Sequence, residues 1–398
     1  MDSFIPIYLR RNEERRIRSG HPWVFSNEID VQRSPIKGLS AGSAVEILDY
    51  RGKSLGTGYA NPASLISARL VSRDHKHPFS PSLLVHRFKV ALSLRERLYE
   101  KPFYRLVYGE SDGLPGLVVD RYDDVVVVQI TTAGMDVLQD AIITALEKVV
   151  HPRVIYLRHD SSMRELEGLT TESVVAKGEL PDVLTIDEAG HRFEAPLKEG
   201  QKTGWFYDQR DNRSRLARYV SGASVLDVFS YVGGWGIRSA LAGAASVTCV
   251  DESSKATEFV VRNARINQVE GRVNVVTGDA FDVLKAMRQE RRRFDTIVVD
   301  PPAFIKRKKD AKRGVEAYRR INQMAIQLLN PDGFLISCSC SHHLHEGALE
   351  KNVYQAARHL DRELQLLERG GQSADHPVHP AIPETQYLKA IYCRVSRG

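Results

Sequence analysis

After residue 220, short apolar runs alternate with helical segments, and this alternation restricts the possible fold more than any other feature. Five runs occur, namely ASVLDVFS, SVTCVDES, VNVVTGDA, FDTIVVDPP and GFLISCSC. Apolar strands separated by helices indicate a parallel, doubly wound α/β sheet with helices on both faces. Ligands of such sheets bind beyond the carboxyl ends of the strands. Functional residues are therefore expected directly after each run.

The chain has 398 residues, which is more than one hydrophobic core usually organises, so several domains are expected. Alternating apolar and polar residues from about residue 41 predict strands of a small barrel or sheet. Leucines and valines at helical spacing predict a helix over 76–100, and GLPGLVVDRYDDVVVVQITT predicts two strands across a turn. We expect three domains, over residues 1–75, 76–190 and 191–398.

No run approaches the roughly 18 uncharged apolar residues that a membrane helix needs, and the N-terminus lacks the apolar stretch of a signal peptide. We therefore expect a cytoplasmic protein without a membrane partner. The four cysteines show neither a disulfide framework nor a zinc-binding spacing, so free, reduced thiols and no bound metal are expected.

The net charge is +6, and basic residues are clustered, which together favours an anionic partner such as a nucleic acid. A mixture of basic and aromatic residues suits RNA backbone contact and base stacking, and a packed edge with a solvated rim is an equally good interpretation. The candidate RNA-binding residues are Arg16, Arg18, His21, Trp23, Lys306, Arg307 and Lys308.

Acidic residues at successive strand ends predict a nucleoside site. Asp227 precedes the glycine turn, residues 229–236, and would face the charged end of a cofactor; Asp251 would bind ribose hydroxyls, and Asp279 an adenine amino group. The turn lacks the G-x-G-x-x-G spacing of a pyrophosphate site, so S-adenosylmethionine is favoured over NAD. The alternative is that these carboxylates only cap helices. Neighbouring residues complete the predicted site: Phe229, Ser230, Tyr231, Gly233, Glu252, Ser253, Ala280, Asp300 and Pro301.

The sequence DPPAF at residues 300–304, called the proline lip below, predicts a rigid segment beside a flat base. Each proline fixes φ and removes an N–H donor, and Phe304 can stack on a base. D-P-P-x-F is typical of Rossmann-like methyltransferases that act on nucleic-acid bases. Asp300 is expected to hold the base.

The stretch SCSCSHH at residues 337–343 brings thiols to the end of the fifth predicted strand. Carbon 5 of cytosine becomes nucleophilic only after a group adds to carbon 6, and a thiolate is suited to that addition. Cys338 and Cys340 share strand parity, so alternation aims both to one face and does not choose between them. A buried structural cysteine and a metal site that includes His342 are the other interpretations.

The chain resembles the large-subunit ribosomal RNA methyltransferase I family over nearly its whole length. The matching stretches are HPWVFS, GESDGLPGLVVDRY, KTGWFYDQRDNR, VLDVFSYVGGWG, DPPAF, SCS at 339–341 and ADHPV. The resemblance implies an N-terminal PUA domain that binds RNA, a central α+β domain and a C-terminal class I methyltransferase domain. It implies S-adenosylmethionine as cofactor, S-adenosylhomocysteine as product and 23S ribosomal RNA as partner, with a homodimer as one option.

The family's cysteine nucleophile falls on Cys340, which leaves Cys338 as an additional thiol. Other RNA cytosine-5 methyltransferases carry a cysteine in the proline lip, where this chain has Ala303, so a two-cysteine mechanism is excluded. Gln209 and Arg210 of the FYDQR stretch are expected by similarity beside the methionine end of the cofactor.

The favoured interpretation is thus cytosine-5 methylation of ribosomal RNA, with Cys340 and Asp300 as catalytic residues and His342 as a guess for the proton acceptor. Two alternatives stay open. One is methylation of an exocyclic base amine, which needs no thiol. The other is an RNA-binding assembly protein that retains the cofactor fold without catalysing a reaction.

Overall fold

The computed structural model describes residues 4–197 and 204–397, so Lys202 and Thr203 of the KTGWFYDQRDNR stretch lie outside the described residues. The chain forms two compact units. One comprises the residues up to Pro181 together with Asp375–Thr385, and the other comprises Asp182–Ala374 and the residues from Gln386 onward. Within the described ranges, no helix is both long and apolar enough to cross a membrane.

The first unit begins with a sheet whose strands lie in the order β1-β3-β4-β5-β2. Its elements are β1 (Ile5–Tyr8), α1 (Glu14–Arg18), β2 (Trp23–Phe25), β3 (Ser43–Leu48), β4 (Ser54–Ala60) and β5 (Ile66–Ser72). Side chains alternate between the two faces of a strand, so Val45 and Ile47 of β3 both enter the core, where they are fully buried with Ile7 and Val24. The strands predicted from residue 41 are confirmed.

The first unit continues with a second sheet, in the order β10-β9-β8-β7-β6. Its elements are α2 (Pro81–Leu98), β6 (Phe103–Tyr108), β7 (Leu117–Tyr122), β8 (Val125–Ile130), α3 (Ala133–Val137), α4 (Gln139–Val149), β9 (Val154–Leu157), α5 (Ser162–Leu166) and β10 (Val174–Lys177). The hydroxyl of Ser80 caps α2, and Pro81 occupies its first turn, where a missing N–H costs little. The predicted helix and the two strands across the DRYDD turn are confirmed.

The second unit opens with a hairpin of β11 (Val183–Glu188) and β12 (His191–Pro196). The sequence predicted a domain boundary between residues 190 and 191, and this position lies at the turn of the hairpin. Because the two strands pair along their length, the hairpin belongs to a single unit, which begins at Asp182.

The second unit contains a seven-stranded sheet in the order β15-β14-β13-β16-β17-β19-β18. Its strands are β13 (Ser224–Val228), β14 (Ser246–Asp251), β15 (Val273–Thr277), β16 (Phe294–Val299), β17 (Leu329–Ser339), β18 (Arg362–Gly371) and β19 (Lys389–Arg397). The first five in this order are mutually parallel, as predicted, and β19 runs antiparallel to both of its neighbours. The order reverses between β13 and β16, so their carboxyl ends form a switch point, where doubly wound folds bind ligands.

Helices cover this sheet. They are α6 (Arg210–Leu216), α7 (Gly234–Leu241), α8 (Ser254–Ile266), α9 (Ala280–Gln289), α10 (Ala311–Leu328) and α11 (Glu346–Arg358). On one face, Leu284 of α9, Ile321 of α10 and Val353 of α11 share a core with Leu226 of β13 and Ile297 of β16. The buried layer holds the strands in place and so fixes the positions of the loops at their carboxyl ends.

Candidate active site

A cavity of about 360 Å³ opens at the switch point of the seven-stranded sheet. It is lined by residues that follow β13, β14, β15, β16 and β17, and its volume lies within the range of small-molecule sites. The residues predicted from the sequence that line it are Gln209, Phe229, Ser230, Tyr231, Asp251, Glu252, Asp279, Ala280, Asp300, Pro301 and Cys340. Four of the predicted cofactor-binding residues do not line it, namely Arg210, Asp227, Gly233 and Ser253.

The glycine turn has an unusual backbone. Phe229 and Tyr231 have φ of 66° and 50°, and Gly233 has φ of 87°. Left-handed conformations cost non-glycine residues about 1–3 kcal/mol each and concentrate at functional sites. A Cβ on Gly233 would meet Ile237 and Val260, so this glycine faces the core while its neighbours face the cavity. The buried hydroxyl of Ser230 has no hydrogen-bond partner within the described residues, which fits a polar ligand group in the cavity.

Asp227 lies behind the cavity wall rather than in it. The residue is fully buried within β13, and its Oδ2 accepts a 2.8 Å hydrogen bond from the backbone N–H of Gly236. Burial raises the pKa of this carboxyl to about 8, with Asp300 and Asp251 adding to the rise. A buried, mostly neutral carboxyl that binds helix α7 does not supply the direct negative contact with the cofactor that its position in the sequence suggested.

Two adjacent acidic residues, Asp251 and Glu252, stand at the end of β14 and make different contacts. The carboxylate of Asp251 accepts hydrogen bonds from the backbone N–H of Tyr231 at 2.8 Å and of Ser253 at 3.0 Å. Glu252 is exposed and lines the cavity. Ser253 caps α8 through its hydroxyl, which explains its absence from the wall. Glu252 is therefore better placed than Asp251 to bind ribose hydroxyls.

Asp279 both caps a helix and lines the cavity. Its Oδ1 accepts hydrogen bonds from the backbone N–H groups of Phe281 and Asp282 at the start of α9. The capping alternative thus holds for one oxygen, while the residue still stands in the cavity wall. Phe281 and Phe304 also line the cavity, with ring centroids 6.4 Å apart. Aromatic faces beside a carboxylate suit a purine ring with an amino group.

Asp300 is held by two donors from other elements. The Gln209 amide nitrogen lies 3.0 Å from both carboxylate oxygens, and the indole N–H of Trp235 donates to Oδ2 at 2.9 Å. These bonds fix the orientation of the carboxylate at the base of the proline lip. The sequence predicted Gln209 and Asp300, but it gave no role to Trp235 beyond membership of a matching stretch.

Arg213 and Glu188 form a buried ion pair at the cavity wall. Arg213 forms two short hydrogen bonds to Glu188 of β11, and its guanidinium lies 4.8 Å from the Trp205 ring centre. Burial works against the charge of Glu188, yet Arg213 lowers the pKa of its carboxyl. Arg213 and Trp205 line the cavity. The Arg210 guanidinium instead lies over the Tyr207 ring, 5.1 Å from its centroid.

The two candidate thiols occupy different environments. Cys338 lies within β17 and is fully buried, and burial raises its pKa well above the ordinary value. Cys340 lies one residue beyond the end of β17, is partly exposed and lines the cavity. Its Sγ lies 4.0 Å from the carbonyl oxygen of Pro301. The parity argument does not apply, because side-chain alternation ends with the strand at Ser339.

The histidines and a metal were the other possibilities at this strand end. His342 is exposed and does not line the cavity; its ring centroid lies 5.5 Å from that of Tyr387. Over residues 4–197 and 204–397, no group of three or more His, Cys, Asp or Glu side chains could hold a metal ion. The structure therefore gives the metal alternative no support.

The basic and aromatic residues near the N-terminus make intramolecular contacts. Arg16 pairs with Glu28 at 2.6 Å, and the indole N–H of Trp23 donates to Glu110 at 2.9 Å. These contacts favour the packed-edge interpretation for both residues. Arg18 pairs with Asp49 and stays half exposed, and the His21 ring accepts a hydrogen bond from the backbone N–H of Trp23. The side chains of Lys306, Arg307 and Lys308 are exposed. RNA contact by these residues stays a prediction.

Two known protein families match parts of this chain. The S-adenosylmethionine-dependent methyltransferase family matches residues 156–394, and the PUA-like domain family matches residues 7–73. The solved structure of a putative methyltransferase complexed with S-adenosylhomocysteine superposes on this chain with a TM-score of 0.83, and that of a putative methyltransferase from Streptococcus mutans with a TM-score of 0.82. Both are 21% identical in sequence, and the matches cover 98% of this chain and 100% of each solved chain. These likenesses support the fold. The protein is thus an S-adenosylmethionine-dependent methyltransferase with an N-terminal PUA-like domain.

Curated relatives narrow this class. Ribosomal RNA large subunit methyltransferase I from Photobacterium profundum is 38% identical over 395 residues, covering 98% of this chain and 99% of the relative. The protein of that name from Salmonella arizonae is 36% identical, with coverage of 98% and 97%. The chain belongs to the ribosomal RNA large subunit methyltransferase I family. The family, fold class and cofactor expected from the sequence are confirmed.

Proposed function

We propose that this protein methylates carbon 5 of a cytidine in 23S ribosomal RNA through a covalent bond to Cys340. The observation that carries the proposal is the position of Cys340: its thiol lines the cofactor cavity beside the proline lip, 4.0 Å from the Pro301 carbonyl oxygen. Cys338 is buried in the strand and out of reach. Methylation of an amine would need no thiol at this place.

The substrate class comes from the relatives, which are named for the large subunit's ribosomal RNA. A base inside a helix is out of reach of such a cavity, so the target must be unpaired or swung out of its stack. The net charge of +6 and the exposed cluster of Lys306, Arg307 and Lys308 beside the proline lip support contact with the RNA backbone.

The residues present fit the cofactor at the switch point. Glu252 would hold the ribose, Asp279 and the aromatic wall the adenine, and the glycine turn with Ser230 the methionine end. When bound, S-adenosylmethionine supplies an electrophilic methyl group, which the activated carbon 5 accepts. These residues determine the orientation of the cofactor and exclude water from the reacting face.

The chemistry on the pyrimidine begins at the thiolate. The Cys340 sulfur forms a bond to carbon 6, and the electron pair of the carbon 5–carbon 6 double bond becomes available at carbon 5. After methylation, a base removes the carbon 5 proton, the double bond reforms, and the sulfur–carbon 6 bond breaks to return the thiolate. Asp300, oriented by Gln209 and Trp235, holds the edge of the base during both steps.

The test compares Cys340→Ala with Cys338→Ala on 23S ribosomal RNA from cells that lack the protein. Product nucleosides are identified by mass spectrometry. We expect 5-methylcytidine from the wild-type protein and from Cys338→Ala, and a loss of at least about 1,000-fold with Cys340→Ala, because the nucleophile is absent. Full activity of Cys340→Ala together with loss in Cys338→Ala would reverse the assignment.

A second measurement distinguishes the alternatives. RNA that carries 5-fluorocytidine has no proton to lose at carbon 5, so the proposed adduct should persist as a denaturant-resistant protein–RNA complex that Cys340→Ala does not form. An N-methylated product from Cys340→Ala would instead establish amine methylation. Calorimetry that detects RNA binding but no S-adenosylmethionine binding would indicate an assembly protein without methyltransferase activity.

A further inference from the structure

A buried lysine lies beside the proposed nucleophile. Lys389 is the first residue of β19 and pairs in register with Ser339, the last residue of β17. The lysine is 6% exposed, and its Nζ donates 2.6 Å hydrogen bonds to the carbonyl oxygens of Ser341 and Tyr387. Ser341 directly follows Cys340, so the ammonium is tied to the same short segment that presents the thiol to the cavity.

We propose that Lys389 is a positioning residue whose ammonium group holds Cys340 in the thiolate form that attacks the pyrimidine. The inference rests on the proposed function, since it assigns a role toward the Cys340 nucleophile. A thiolate adds to carbon 6 far faster than a thiol, and a neighbouring cation is the usual means by which a protein lowers a thiol pKa. The ammonium has three N–H donors, and the two carbonyls account for two of them.

The energetics of Lys389 agree with a charge coupled to Cys340. Burial lowers the pKa of Lys389 to about 8, while the negative charges of Cys340 and Glu346 act in the opposite direction. A lysine with this pKa is still protonated in most molecules near neutral pH. A buried ammonium is costly unless it gains a partner, and a thiolate at Cys340 would add an opposite charge to the two carbonyl contacts.

Other titratable groups surround the pair. Burial raises the pKa of Tyr318 on α10 to about 12, and the charge of Cys340 adds to that rise, so the phenol stays neutral. Among the described residues, other groups near the pair are Glu346 on α11, Cys338 on β17, Asp300 in the proline lip, Asp208 and His342. The carboxylates oppose thiolate formation by their charge, and the ammonium of Lys389 favours it.

The test measures the thiol directly. The intact protein is alkylated with iodoacetamide over a range of pH, and the rate at Cys340 is read from its peptide by mass spectrometry. We expect an apparent pKa for Cys340 below the ordinary thiol value of about 8.5 in the wild-type protein. Lys389→Met should raise it by about one unit and slow alkylation near neutral pH roughly 5- to 10-fold. Lys389→Arg should restore much of the rate, and Lys351→Met, at an exposed lysine of α11, should leave it unchanged.

Binding of S-adenosylmethionine, measured by calorimetry, checks that each variant is folded. A wild-type pKa at or above the ordinary value would overturn the proposal without any variant, and so would an unchanged pH profile in a folded Lys389→Met. A further expectation is that Lys389→Met lowers kcat and leaves KM for S-adenosylmethionine unchanged. If Cys340→Ala remains active, the proposed function fails, whereas the alkylation profile still reports whether Lys389 controls the thiol.

Discussion

The indole N–H of Trp235 donates a 2.9 Å hydrogen bond to a carboxylate oxygen of Asp300. Trp235 stands in α7 after β13, whereas Asp300 follows β16, and these strands lie on the two sides of the switch point. The bond therefore connects the glycine turn with the proline lip, the segments proposed to contact the cofactor and the base. The orientation of the Asp300 carboxylate therefore depends on a residue of the glycine turn.

Replacing Trp235 with Phe keeps an aromatic ring and removes only the N–H donor. A hydrogen bond to a charged group contributes about 1.5–3 kcal/mol, so we expect kcat to fall roughly 10-fold or more. Binding of S-adenosylmethionine should change little, as measured by calorimetry. Equal methyl transfer by Trp235→Phe and the wild-type protein would contradict a role for this bond in holding Asp300.

Glu252 and Asp251 should give opposite results when their charges are removed. Glu252→Gln should weaken S-adenosylmethionine binding about 10-fold through the lost ribose contacts, and it should leave the free energy of unfolding nearly unchanged because the side chain is exposed. Asp251→Asn should destabilise the fold by about 1–2 kcal/mol, since its oxygens accept two backbone N–H groups. Calorimetry and urea unfolding measure the two effects; a cofactor-binding loss confined to Asp251→Asn would reject this division.

Gly236 has no room for a side chain. A Cβ there would lie 2.3 Å from Cys249 Sγ and 3.1 Å from Asp227 Oδ2. Gly236→Ala should therefore lower the free energy of unfolding by about 1–3 kcal/mol through overpacking beneath the glycine turn. Gly271→Ala is the matched control, because nothing lies within 4 Å of its added Cβ. Equal urea midpoints for the two variants would show that the packing around α7 can relax.

Asp227 should make the protein less stable as pH rises. Burial raises the pKa of this carboxyl from 3.8 to about 8, so the folded state holds the proton more tightly than the unfolded state does. The slope of unfolding free energy against pH is then negative between those two values. Asp227→Asn should remove this slope and stabilise the protein near its upper end by about 1–3 kcal/mol.

Asp295 provides the contrast for that experiment. Burial opposes its charge, but hydrogen bonds from the backbone N–H and hydroxyl of Ser224 lower the pKa of the carboxyl below 3.8. Its stabilisation is present above the unfolded value and is lost as pH falls through the folded value. Asp295→Asn should reduce stability near neutral pH, measured by urea unfolding. If Asp227→Asn and Asp295→Asn shift the profile in the same direction, the assignment of Asp227 as a neutral buried acid is incorrect.

Much of the fold follows from local pattern. The apolar runs that became β13, β14 and β16 are buried on both faces, and a strand of that kind is recognisable from its composition alone. The sequence did not predict the edge strand β18 or its neighbour β19. Residues of β18 alternate between half-buried and exposed positions, and its pairing with β19 joins residues distant in sequence. The hairpin of β11 and β12 was missed for a different reason, because its turn also suggested a domain boundary.

The sequence by itself determined the residue types at each strand end, the cofactor class and, through its resemblance to a family, the choice of Cys340. Only the tertiary structure decided which of these groups meet. Asp227 and Asp251 have the same side chain, yet they have different surroundings. Asp227 lies behind the cavity wall and accepts a hydrogen bond from the N–H of Gly236. The carboxylate of Asp251 accepts hydrogen bonds from two other backbone N–H groups. Lys389 follows Cys340 by 49 residues and lies beside it because β17 and β19 pair antiparallel. Strand composition is a local property, whereas the protonation and reach of a side chain depend on everything packed around it.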